Sequence, residues 1–140
     1  MSLSAAVYKS KKSLEKQFNL SDCEIDADTG EVIASKALNQ NFDYADSIAI
    51  RVDFGNIAHI KFLSDTIAEK FGDRESILEK LFLYSGGHFG DMIENSYFDK
   101  ILEELNMLRD SEIIEVRDFS TQVRSLVKAA IKEGNPIVFI

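Results

Sequence analysis

The side chains best able to do chemistry gather around His88. Tyr84, Ser85 and Asp91 lie within four residues of it, and together they supply an imidazole, two hydroxyls and a carboxylate, the parts of a general acid–base site. The same stretch, Leu81-Phe82-Leu83-Tyr84-Ser85-Gly86-Gly87-His88-Phe89-Gly90-Asp91, places three glycines within five residues. No recognised nucleophile–base spacing accompanies the histidine. The glycines fit neither a dinucleotide fingerprint nor a P-loop, because their spacing differs and no Gly-Lys-Ser/Thr follows. Two readings need less: a turn whose glycines take positive φ, or a contact surface for a partner.

The remaining candidates are weaker. His59 lies between the apolar Ile57 and Ile60, which makes it a boundary residue of a helix. Cys23 is flanked by Asp22 and Glu24, whose charges disfavour a reactive thiolate. With two histidines and one cysteine in the chain, no zinc-ligand spacing exists, and neither a metal nor a cofactor is expected. The acids between Asp26 and Glu31 suggest a calcium loop. Counting back from Gly30, however, puts Ile25 where such a loop requires aspartate, so this is turn chemistry. Glu103, Glu104, Asp110, Glu112 and Glu115 form a second acidic stretch, diluted by Arg109. Such runs are either solvated faces or a docking surface for a basic protein.

Charge narrows the function classes. Twenty-four acids against sixteen bases leave a net charge of -8, the wrong sign for a protein that tracks nucleic-acid phosphates. A positively charged partner is compatible, because complementary charge speeds encounter. A single cysteine cannot form an internal disulfide and points to a reducing compartment. The first residues show no basic segment ahead of an apolar core, and no apolar run approaches the roughly 20 residues of a membrane span. A cytoplasmic protein without membrane contact is expected.

The elements that would position these residues follow from periodicity. At 140 residues the chain reads as one domain, 1–140, large enough to bury roughly 68–70% of its unfolded surface without a staple. Residues 3–8 read as a strand, followed by a basic turn and a short helix over 13–20 with Leu14 and Phe18 on one face. Residues 23–34 read as a hairpin about an Asp/Thr/Gly turn, 35–46 as irregular, and 48–52 as a strand or a helix start. From Asn56, Ile57, Ile60, Leu63, Ile67 and Phe71 recur at helical spacing, with Gly72 as a stop. Residues 77–84 read as a strand feeding the glycine loop. Ser96, with Asp99 three residues on, reads as the cap of a helix carrying Tyr97, Ile101, Leu102, Leu105 and Leu108. A last helix after Ser111 carries Val116 to Ile131 and ends at Gly134. Residues 137–140 read as a buried strand, paired beside 77–84. The expected fold is α+β, a mixed sheet packed against about three amphipathic helices.

The stretch from Leu83 to Asp91 and the tail Gly134-Asn135-Pro136-Ile137-Val138-Phe139-Ile140 resemble small bacterial immunity proteins of polymorphic-toxin and contact-dependent inhibition systems. The opening Met1 to Tyr8 and the hairpin Asp26 to Val32 fit the same pattern. The resemblance implies a non-enzymatic protein that binds a cognate toxin domain, often a nuclease, and blocks its active site. The contact is placed on Ser85, His88, Asp91, Glu103 and Glu104. Two alternatives stand beside it: a generic interaction or regulatory domain, self-associating as a homodimer through its apolar tail, and a small enzyme using His88 and Asp91.

Overall fold

The computed structural model describes residues 2–18, 24–32, 44–83 and 90–140. Its centre is a four-stranded sheet in the order β2-β1-β4-β3, formed by β1 (Ser2–Tyr8), β2 (Ile48–Asn56), β3 (Met92–Ile93) and β4 (Ile137–Phe139). The class is α+β, as expected, but all three pairings are antiparallel rather than mixed. The alternative left open at 48–52 resolves to strand, with Ile50, Val52 and Phe54 alternating inward between solvent-facing neighbours.

Among the described residues five helices accompany the sheet: α1 (Lys11–Phe18), α2 (Ile57–Phe71), α3 (Ile77–Leu81), α4 (Phe98–Leu108) and α5 (Ile114–Glu133). One face of β1, with Leu3, Ala5 and Val7, joins Val52, Phe54, Ile137 and Phe139 in a core closed by α2, α3, α4 and α5. Four phenylalanines drawn from across the sequence meet at its centre. Phe82 stands edge-on to Phe54, Phe119 and Phe139, with centroid separations of 5.9, 6.1 and 5.7 Å. Edge-on rings align quadrupoles favourably, adding about 0.5–1.5 kcal/mol per pair beyond the area buried. The opposite face of β1, with Ser4, Ala6 and Tyr8, is buried as well.

Helix ends follow local chemistry. The Asn56 side chain accepts the His59 N–H at 2.9 Å and starts α2. Gly134, in the left-handed conformation at φ 68°, ends α5 as expected, its N–H bonded to the Ala130 carbonyl. No helix among the described residues is long and apolar enough to cross a membrane.

Three expectations need correction. The strand expected at 77–84 is absent over its described part, 77–83: Ile77–Leu81 is one turn of helix, and Phe82 and Leu83 then turn into the core. The partners of β4 are accordingly β1 and β3. Ser96 does not cap α4; it sits inside a 3-10 turn, Asn95–Tyr97, that leads into Phe98 with no side-chain cap bond. The short helix begins at Lys11, where a basic turn was expected. Of the irregular stretch, residues 35–43 lie outside the described residues and Tyr44–Ser47 form a 3-10 turn.

Candidate functional site

Ser85 and His88, the centre of the sequence argument, lie outside the described residues, as does Cys23. The exit of the glycine stretch is described. Gly90 has φ 87°, a conformation suited to glycine, and donates its N–H to the Phe139 carbonyl at 2.9 Å. The Asp91 carbonyl in turn accepts from Phe139 N–H at 2.9 Å. The stretch therefore returns directly onto β4, and Asp91 stands at the exposed entrance to β3.

Glu103 and Glu104 stand in different surroundings. Glu103 is exposed on α4, whereas Glu104 is buried with only 5% of its surface accessible. The Glu104 carboxylate accepts three hydrogen bonds: Ser76 Oγ at 2.9 Å, Leu78 N–H at 3.1 Å and Ile77 N–H at 2.6 Å. Ser76 is the N-cap of α3 and accepts the Glu79 N–H at 3.2 Å. Three amides that a helix start normally leaves without partners are thus satisfied, two of them by a carboxylate from another helix. Glu104 is an internal clamp between α3 and α4, and its carboxylate is not available to a partner. Its place was legible: Ile101, Glu104, Leu105 and Leu108 share the buried stripe of α4, so the acid interrupts an apolar face.

The other acids of this stretch, Asp110, Glu112 and Glu115, are exposed around the α4–α5 turn. They surround the N-terminus of α5, which has no side-chain cap, and negative charge there offsets the helix dipole. That account does not extend to the apolar side chains beside them. Met107, Ile113 and Ile114 are 38%, 38% and 60% exposed. Periodicity missed them because Ile113 and Ile114 lie just before the helical repeat that begins at Val116.

The hairpin expected at residues 23–34 is present over its described part, residues 24–32. Asp26 Oδ1 accepts the N–H groups of Asp28 and Thr29, Asp26 N–H bonds the Glu31 carbonyl at 2.8 Å, and Ile25 bridges Val32. The turn packs against Asn135 so closely that a Cβ at Gly30 would lie 2.5 Å from Asn135 Cγ. Asn135 itself donates from Nδ2 to the Tyr8 carbonyl at 2.7 Å. His59 is half-buried, its ring against Gly55 and 6.5 Å from that of Phe62, as befits a boundary residue. Among the described residues, no group of three or more His, Cys, Asp and Glu is placed to hold a metal.

Compared with protein-family models, curated proteins and solved structures, the chain matches none.

Proposed function

We propose that this chain is a binding protein that captures a basic protein partner in a stoichiometric complex, and that the partner is a toxin domain of the kind its sequence resemblance implies. The supporting observation is the α4–α5 turn, where exposed Met107, Ile113 and Ile114 lie among exposed Asp110, Glu112 and Glu115. Apolar side chains left in water beside like charges have no internal role, and such patches mark interaction sites. An apolar centre with a charged rim also matches the anatomy of specific interfaces. The net charge of -8 favours a cationic partner. Nuclease domains that grip phosphates present such a surface. The contact surface is therefore placed on the α4–α5 turn together with Glu103, with Glu104 removed from it.

The test is co-expression with the protein encoded by the adjacent upstream reading frame. Rescue of growth with recovery of a one-to-one complex is expected. A harmless neighbour that does not co-purify would remove the toxin from this reading. Within a complex, Ile114→Arg places positive charge at the centre of the patch and should weaken binding about tenfold or more. A folded variant that binds unchanged would move the contact elsewhere.

A further inference from the structure

At the opposite end of the α4–α5 pair lies a half-open groove of about 390 Å³. The two helices are joined by a short turn, 109–113, and double back on each other, so that Phe98 lines the groove with Ala130 and Ile131. The start of α4 and the end of α5 therefore meet at this end, where Phe98 and Ile131 line the groove. Asp28 reaches it from the hairpin turn, and Glu94 and Asn95 from the segment after β3. Its volume falls at the small end of the ligand-pocket range of roughly 300–1,000 Å³.

The lining has two chemistries. Phe98, Ala130, Ile131 and Pro136 supply its apolar part. Ile131 was expected in the core by its helical position, but it is 61% exposed on the groove. Asp28 and Glu94 are both exposed, and no described lysine or arginine is ion-paired with either. Asn135 has its Nδ2 committed to Tyr8, which leaves Oδ1 as an acceptor. The groove also meets the last turn of α5, the negative end of that helix's dipole. Lys132 belongs to that turn but does not line the groove. Acceptors and negative charge thus share the lining with apolar side chains.

We infer that this groove receives an arginine side chain presented by a protein partner. Arginine buries a methylene stem along apolar surface while keeping its charged head at the polar edge. Its guanidinium carries five donors in a fixed plane and gives up water more readily than an ammonium. Those properties match a groove whose lining combines apolar side chains with carboxylate and amide oxygens. The inference rests on the reading of the chain as a binder of basic protein, but it does not require the partner to be a toxin.

The test uses the full chain, labelled for NMR, titrated with the capped tripeptide Ala-Arg-Ala and with its citrulline counterpart, which keeps the shape and loses the charge. Saturable shifts at Asn95, Ile131 and Asn135 are expected with the arginine peptide only. They should vanish in the double variant Asp28→Asn, Glu94→Gln, whose changes fall on exposed side chains. The variant Glu69→Gln, Asp73→Asn removes the same charge from exposed positions at the C-terminal end of α2 and should bind as the parent does. Equal binding of citrulline, equal loss in both double variants, or shifts that fail to saturate would each overturn the assignment. Failure of the co-expression test with success here would discard the toxin and keep the groove.

Discussion

The helices α3 and α5 are held in place by opposite means. The twenty residues of α5 have no side-chain cap, yet Val116, Phe119, Val123, Leu126, Val127 and Ala130 are all buried along one face. Burying an apolar side chain of that size contributes roughly 1.5–3 kcal/mol, so the stripe outweighs the uncapped end. The five residues of α3 bury one residue fully, Leu78. Isolated helices shorter than about 12–15 residues are marginal in water. This one exists because Ser76 and Glu104 take up its first amides. A long helix draws its stability from surface removed from water, and a short one from named hydrogen bonds supplied by another element.

The comparison breaks most severely at Phe119. Its ring is 1% exposed and contacts Phe54 and Phe82. Phe119→Ala should destabilise the whole domain by about 3–5 kcal/mol, lowering the denaturation midpoint and hydrogen-exchange protection everywhere. Glu104→Gln keeps the volume but turns an NH2 group toward backbone donors. A loss of about 1–3 kcal/mol is expected, with the amides of α3 exchanging faster before those of α5 change. Equal loss of protection in both helices would mean that the clamp supports the core rather than α3. The smallest effect is expected for Ser76→Ala, about 0.5–2 kcal/mol, because the carboxylate still serves Ile77 and Leu78.

These helices also show why legibility varied along the chain. The pattern of α5 repeats over many turns, and that of α2 over fewer, so period and stop signals identified both. For α3 there is a single turn, over which the helical and strand periods cannot be separated, and the apolar run read as strand. One local signal was present: Ser76-Ile77-Leu78-Glu79 has the Ser-x-x-Glu spacing of a helix start. The decisive contribution came from Glu104, which meets Leu78 across 26 positions of sequence. At the candidate site, charge and the turn at Asp26–Gly30 were readable. The groove was not, because Asp28, Glu94 and Ile131 are brought together only by α5 doubling back on α4 and by the hairpin resting on Asn135.

The place of β4 has a consequence in time. Residues 2–8 and 48–56 can pair early in synthesis, because both precede α2, α3, α4 and α5. The strand at 137–139 then enters between β1 and β3, supplying Phe139 to the aromatic centre and backbone partners to Gly90 and Asp91. Until those residues leave the ribosome, β1 has a bare edge and β3 has no partner in the sheet. A nascent chain in that state carries the open strand edge that invites pairing with another chain. Fusions that delay residues 137–139, or truncations that remove them, should therefore shift the product from folded protein toward aggregate.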